Sequence, residues 1–408
     1  MKMIDATLSG SAANHRTLPI LRVSLVTETY PPEINGVAMT LGRMVDALRK
    51  RGHSVEVLRP RQANDGAGTH EDVLVKGLPI PGYPELRFGL PATLILKQRW
   101  ALQRPDIVHI ATQGPLGWSA RKAARALSLP VSSSFHTNFD SYSRHYGIGW
   151  MKGPITSALR SFHNGTDATL VPTHSLAQTL LCSGYRNVSV VSRGIDTRLF
   201  HPLRRSCTLR TAWGARPDDL VVAYVGRIAP EKNMDLVFAT FIEVQRARHD
   251  AKLLLVGDGP MLVSLKARYP QHIFTGMQRG EALATHYASA DLFLFPSLTE
   301  TFGNVTVEAL ASGLGVIGYN YAAAEELIED GHNGLLATPD DANGFMNSAV
   351  MLASNRSLLA RMRLRASASV SHLDWIQVGD IFAAKLHSLI DVHERKLRAK
   401  NALAFAAN

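Results

Sequence analysis

The apolar positions of this chain fall in short runs separated by longer stretches with helical spacing. In the first half the runs are Arg22–Thr27, Ser54–Leu58, Ile107–Ala111, Val131–Phe135, Ala168–Val171 and Val188–Val191. In the second half they are Val221–Val225, Lys252–Val256, Ile273–Thr275, Leu292–Phe295, Val316–Gly318 and Gly334–Ala337. Runs this short, with little polar alternation, predict strands buried on both faces. Helical spacing fills the gaps at Val37–Arg51, Asn233–Ala247, Met261–Ala267, Glu281–Ser289 and Val305–Ser312, and Gly52 closes the first of these. Strands alternating with helices predict a parallel sheet covered on both faces, and the pattern occurs twice. The fold class is therefore α/β, with two Rossmann-like domains.

The expected division is a flexible tail over 1–19, a first domain over 20–192, a linker over 193–207 and a second domain over 208–372. The linker reads RGIDTRLFHPLRRSC and has no clear period. Residues 373–408 form a closing helical segment expected to pack back on the first domain. Open parallel sheets bind ligands outside the carboxyl ends of their strands. Two such sheets place the site in the cleft between them.

With 408 residues, each domain is long enough for its own core. Apolar residues make up 46% and charged residues 19%, as in a soluble enzyme. Cys182 and Cys207 have no metal-like spacing, which argues against a disulfide scaffold or zinc site and for a reducing compartment. No apolar run is long enough for a transmembrane helix, and residues 1–19 lack the apolar region of a secretory signal. A cytoplasmic location is expected. Residues 1–200 hold 23 Lys+Arg against 13 Asp+Glu, whereas 201–408 hold 21 of each. The excess positive charge therefore sits in the first half, which is expected to face something anionic.

Five stretches carry candidate chemistry. Tyr30–Val37 (YPPEINGV) follows the first strand, and Asn35-Gly36 permits a tight turn close to a ligand; an ordinary strand-to-helix turn is the other reading. It is not the G-x-G-x-x-G loop of a dinucleotide enzyme. His136 ends a strand in Phe135-His136-Thr137-Asn138-Phe139, where it can reach a sugar hydroxyl or serve as a structural hydrogen-bonder. Asp140, Tyr142, His145 and Tyr146 follow it and are candidates for an acceptor pocket. Gly226-Arg227-Ile228-Ala229-Pro230-Glu231-Lys232 leaves the second domain's first strand with two cations that suit a diphosphate.

The fourth stretch is Pro296–Leu310 (PSLTETFGNVTVEAL). It puts Glu300 in a loop, Gly303-Asn304 at a helix start and Glu308 one turn into that helix. Free amides and a positive dipole end attract an anion, and the carboxylates accept hydroxyls on either side of it. Sugar, diphosphate and ribose in a row fit this order, which points to a nucleotide-sugar. No two acidic residues are separated by a single residue, so an Asp-x-Asp metal site is missing and no metal or cofactor is expected. The fifth stretch, Leu86–Arg104, is basic and amphipathic; it suits an anionic membrane or a solvated basic helix face. No base-stacking or helix-turn-helix signature appears, so nucleic acid is not the expected partner.

Together the first four motifs resemble the retaining glycosyltransferases of family 4, with the GT-B fold, over about Leu21 to Leu389. Glu300 to Glu308 matches that family's E-x7-E element. Pro31–Gly36 and His136-Thr137-Asn138 are similar to bacterial GDP-mannose-dependent α-mannosyltransferases. The resemblance implies two parallel sheets facing across a cleft and transfer of a hexose with retention. Mannose from GDP-mannose to a lipid or lipid-linked glycan is the first expectation. A UDP-sugar-dependent glycolipid transferase and a non-enzymatic nucleotide-sugar sensor are the alternatives. It implies that Gly36 and Gly226 let backbone approach the donor, and that His136 bonds the donor sugar. Arg227 and Lys232 would bind the diphosphate and Glu300 the sugar hydroxyls. Phe302, Gly303, Asn304 and Val305 would offer backbone contacts, Glu308 would bind the ribose, and Met277 would lie near the base. A peripheral position on the inner face of the plasma membrane follows for a lipid acceptor.

Overall fold

A computed structural model describes residues 19–33, 35–62, 65, 66, 68, 69, 71–80, 83–136 and 152–406. The first sheet contains β1 (Arg22–Val26), β2 (Ser54–Pro60), β3 (Asp72–Val75), β6 (Ile107–Ile110), β7 (Val131–Ser134), β8 (Ala168–Val171) and β9 (Val188–Val190). A separate antiparallel pair joins β4 (Gly77–Ile80) and β5 (Tyr83–Gly89). The second sheet contains β10 (Val221–Val225), β11 (Lys252–Val256), β12 (Ile273–Gly276), β13 (Leu292–Phe295), β14 (Gly315–Tyr319) and β15 (Gly334–Ala337).

The strand orders are β3-β2-β1-β6-β7-β8-β9 and β12-β11-β10-β13-β14-β15, and every pairing within them is parallel. Each sheet reverses its winding once, between β1 and β6 and between β10 and β13. Those two switch points open the crevices where ligands bind in such sheets. The Rossmann-like reading of both halves is the observed architecture. Strands such as β10 and β13 are buried along their whole length, which is why they read as unbroken apolar runs.

The helix Gly36–Lys50 buries Leu41, Val45 and Leu48, a four-then-three spacing that presents one face to the first sheet. Across that helix lies the long helix Trp375–Ala406, whose Phe382, Ala383, Leu386 and Leu389 join the same core. A side-chain carbon on Gly379 would stand 2.8 Å from Ala47 Cβ, so the two helices touch at their backbones. Arg51 and Asp380 pair beside this contact at 2.5 Å. The closing segment thus packs on the first sheet, as expected. The chain crosses between sheets twice, and the crossings run together: Ile195 N donates to Leu373 O at 2.8 Å, and Ile195 bridges Asp374.

Two expectations need correction. The strands β3, β4 and β5 were not predicted: the first is short and starts on Asp72, and Pro79 and Pro84 interrupt the pattern of the other two. Proline is tolerated there because the pair lies outside the main sheets. Leu86–Arg104 is not one amphipathic unit either. It ends β5, passes through Pro91 and then forms the helix Thr93–Leu102. Leu96 and Trp100 of that helix are fully buried, and Arg99 Nε bonds Glu56 at 2.8 Å. Leu94 and Ile95 face solvent, at 75% and 59% exposure.

The second domain is tied by one buried carboxylate. Asp291 Oδ1 accepts from Arg205 at 2.8 Å and Arg363 at 2.9 Å, and Oδ2 accepts from Arg210 at 3.0 Å and Val221 N at 2.9 Å. Removing the carboxylate strands three guanidinium groups, and breaking a buried pair this way costs about 3–5 kcal/mol. Asp291→Ala is therefore expected to lower the urea midpoint of the second domain by that equivalent, while Asp380→Ala, at the exposed pair, changes it by less than about 1 kcal/mol.

Candidate active site

The loops leaving β10 and β13 lie side by side at the second switch point. Thr299 Oγ1 donates to Glu231 O at 3.3 Å, and Lys232 Nζ forms an ion pair with Glu300 Oε1. Ser297 Oγ donates to the same carboxylate oxygen at 2.9 Å, and the Tyr321 hydroxyl holds the Glu300 carbonyl at 2.6 Å. Glu300 Oε2 has no hydrogen-bond partner among the described residues. Arg227 pairs with Glu231 at 3.0 Å, and its side chain remains 43% exposed. Both cations of the predicted diphosphate site are thus brought to one edge and oriented there by carboxylates.

The β10 loop is seated by backbone on backbone. Gly226 N donates to Val256 O at 3.0 Å and Ile228 N to Asp258 O at 2.9 Å. Side-chain carbons on Gly257 and Gly259 would strike Gly226 O and Ile228 O, so only glycine admits this approach. The sequence reading missed Gly257-Asp258-Gly259; paired glycines after a strand were the available signal.

Gly303 has φ +90°, a left-handed conformation that glycine takes without strain, and it starts the helix Asn304–Ala311. No side chain caps that helix, so its first amides are open to an anion. Phe302 is buried in the core and its carbonyl accepts from Ala323 N at 2.8 Å. Glu308 is half-buried one turn on, where the Tyr287 hydroxyl donates to Oε2 at 2.9 Å. Burial raises its carboxyl to about 7, partly opposed by that hydrogen bond. Met277 stands half-exposed at the carboxyl end of β12, two strands from β10.

The first domain closes the opposite side. Asn35 is not a turn residue: it is extended at φ −150° and caps the helix Gly36–Lys50 by accepting Val37 N at 3.1 Å and Ala38 N at 2.8 Å. Its Nδ2 is anchored on Thr29 Oγ1 at 2.7 Å. A side-chain carbon on Gly36 would point at Asn304 Nδ2, 3.9 Å away, so the two helix starts face each other across the cleft.

His136 follows β7 and is half-buried at the cleft edge; its carbonyl accepts from Thr301 Oγ1 of the second domain at 3.0 Å. Burial holds its imidazole well below the ordinary range, and Arg193, His109 and His163 add to this. Arg193 was expected only as linker. It is buried and reaches Asn304 Oδ1 at 3.3 Å, Thr301 Oγ1 at 3.4 Å and His136 Nδ1 at 3.5 Å. Its place directly past the end of β9 was the one hint available. Thr137, Asn138, Asp140, Tyr142, His145 and Tyr146, the weaker acceptor-side candidates among them, lie outside the described residues.

Residues 34–199 match the sequence profile of Glycosyltransferase Family 4, and residues 219–355 match that of Glycosyl transferases group 1. A GDP-mannose-dependent alpha-mannosyltransferase of Mycolicibacterium smegmatis is 33% identical over 84% of this chain and 93% of its own length. The chain belongs to glycosyltransferase family 4. This glycosyltransferase is also 28% identical to an alpha-monoglucosyldiacylglycerol synthase of Streptococcus pneumoniae, over 76% of this chain and 74% of that protein. Its fold is shared with sucrose-phosphate synthase from Thermosynechococcus elongatus, a solved structure with a TM-score of 0.74 at 18% identity, covering 91% of this chain and 99% of that one. That likeness establishes the GT-B arrangement of two facing parallel sheets. Membership in the family makes the chain a retaining glycosyltransferase.

Proposed function

We propose that this glycosyltransferase moves mannose from GDP-mannose to a lipid or lipid-linked glycan, with retention. The observation that carries the reading is the row of groups along the second switch point. It runs from Glu300, with one carboxylate oxygen unpartnered among the described residues, through the uncapped helix start at Gly303-Asn304, to Glu308. Glu300 holds the sugar hydroxyls, the helix amides with Arg227 and Lys232 hold the diphosphate, and Glu308 accepts the ribose hydroxyls. Gly36 and Gly226 admit the donor to backbone, Phe302 and Val305 support the amide surface, and Met277 borders the base. His136 meets the donor sugar from the first domain.

In the transfer step the bond from the anomeric carbon to the diphosphate oxygen breaks and a bond to the acceptor oxygen forms on the same face. The acceptor's proton passes to the departing phosphate oxygen, whose charge Arg227 and Lys232 stabilise. A covalent sugar–enzyme adduct trapped in the native protein or by the Glu300→Gln enzyme would refute this direct route.

GDP-mannose is favoured by the 33% identity to an enzyme named for that donor. The more distant alpha-monoglucosyldiacylglycerol synthase keeps glucosyl transfer to a glycolipid as the competing reading, for which a UDP-sugar is the alternative donor. Thermal stabilisation by GDP-mannose, UDP-glucose, UDP-galactose and UDP-GlcNAc separates them. GDP-mannose alone is expected to raise Tm, and Arg227→Ala is expected to abolish most of that shift. Stabilisation by a UDP-sugar instead would replace the donor assignment.

Glu308 makes the affinity pH-dependent. Its carboxyl sits at about 7 in the free protein, so it is largely protonated at pH 6 and ionised at pH 8. Only the ionised form accepts from both ribose hydroxyls, so GDP affinity rises with pH through that window, by at most about tenfold per pH unit. Isothermal titration is expected to show this rise, and Glu308→Gln is expected to flatten it.

A lipid acceptor requires a membrane surface. No helix among the described residues is long and apolar enough to cross a bilayer. The helices Thr93–Leu102 and Pro115–Ala126 pack together, and they expose Leu94, Ile95 and Trp118 beside Lys97, Lys122 and Arg125. Arg121 stacks 4.3 Å over the Trp118 ring at the same face. Apolar side chains among cations suit peripheral docking on an anionic leaflet, at about 1 kcal/mol per cation near the surface. Flotation with phosphatidylglycerol vesicles is expected, with loss in high salt and in Ile95→Asp. Equal flotation with neutral vesicles would count against it.

A further inference from the structure

We propose that Arg193 is a positioning residue: its guanidinium fixes His136 as the Nε2–H tautomer, so that this N–H is offered to the donor sugar. The inference rests on the reading of His136 as a donor-sugar contact.

Arg193 leaves the first sheet just past β9 and is 7% exposed. No carboxylate lies within ion-pair distance of it among the described residues. Its NH2 group lies 3.5 Å from His136 Nδ1 and 3.4 Å from Thr301 Oγ1, and NH1 lies 3.3 Å from Asn304 Oδ1. The guanidinium carbon sits 5.7 Å over the Phe302 ring. These partners come from both domains, and Thr301 Oγ1 also donates to the His136 carbonyl at 3.0 Å. The guanidinium is thereby held against the imidazole from several sides.

A guanidinium has donors and no acceptor. Burial lowers Arg193 to about 10, with Glu300 acting to raise it, so it is still charged near neutral pH. A proton on Nδ1 would face another N–H, so Nδ1 must present its lone pair and the ring's single proton goes to Nε2. Nε2 is itself buried and has no hydrogen-bond partner among the described residues. A buried N–H without an acceptor is destabilising, and a ligand oxygen removes that cost. In the opposite tautomer Nε2 could only accept. Among the described residues, the other titratable groups facing the ring are His109 and His163, which burial holds at about 3 and about 4. Both are neutral near pH 7, and Ser132 and Ser134 occupy the two His109 nitrogens at 2.8 and 2.9 Å. Arg193 is therefore the charge that selects the tautomer.

The test uses the full chain with ¹⁵N-labelled histidine, and the His136 signals are assigned from the spectrum of His136→Gln. Two-bond proton–nitrogen correlations at neutral pH are expected to show the Nε2–H pattern in the native protein and in Arg193→Lys. Arg193→Met is expected to show mixed tautomers or a protonated ring. Its kcat is expected to fall on the order of 10²-fold with donor KM changed by less than about threefold, and Arg193→Lys is expected to recover part of kcat. An Nδ1–H pattern in the native protein overturns the inference, as do unchanged His136 signals in Arg193→Met. If Arg193→Met does not fold, the native and Arg193→Lys spectra still decide. Full activity of His136→Ala would instead overturn the reading of His136 and leave the tautomer result standing.

Discussion

A parallel sheet presents all its strand carboxyl ends along one edge, and this chain sets two such edges against each other. That constraint governs the rest. Loops leaving neighbouring strands that were wound in opposite directions must diverge, and the gap between them is the only place where backbone, helix starts and side chains can converge on one ligand. In the second sheet the gap holds Gly226–Lys232 on one side and Pro296–Gly303 on the other. In the first it holds the Asn35-capped helix start and the loop after β6. His136 enters from β7, one strand further along.

Within that gap the electrostatics are arranged before any ligand arrives. Lys232 is matched by Glu300 and Arg227 by Glu231, so neither cation must be ordered at the moment of binding. Arg193 is different, because its partners are neutral oxygens, an imidazole and an aromatic face. A desolvated charge with no carboxylate in ion-pair range among the described residues is costly, which sets it apart from a structural strut. Asp291 shows the structural counterpart: three arginines converge on one carboxylate at the opposite, amino-terminal end of β13, far from any cleft-edge loop.

Much of this was legible in advance. The twelve predicted strands all occur. Strands such as β10 and β13, buried on both faces, read as unbroken apolar runs, whereas β7 buries three serines in a row. Gly226, Gly303 and the two glutamates were singled out because a ligand loop after a strand needs glycine, charge and a helix start in a fixed order, and the structure places them along the second switch point. The strands β3 to β5 were not found, since outside the buried sheet interiors the pattern need not be apolar and prolines can interrupt it. Leu86–Arg104 was read as one amphipathic unit because composition does not reveal where a strand ends and a helix begins; Pro91 is that boundary.

The sequence by itself determined the two-sheet plan, the loops at the strand ends and the residue types those loops carry. These are local properties, set by side-chain period, backbone freedom and spacing over a few residues. Tertiary structure alone decided that Arg193 meets His136, Thr301 and Asn304, from 57, 108 and 111 positions away. It likewise decided that Tyr287 bonds Glu308 and that Phe382 and Leu386 complete the first core from the far end of the chain. Such contacts depend on how two independently patterned sheets are placed against each other, and the period of neither sheet contains that placement.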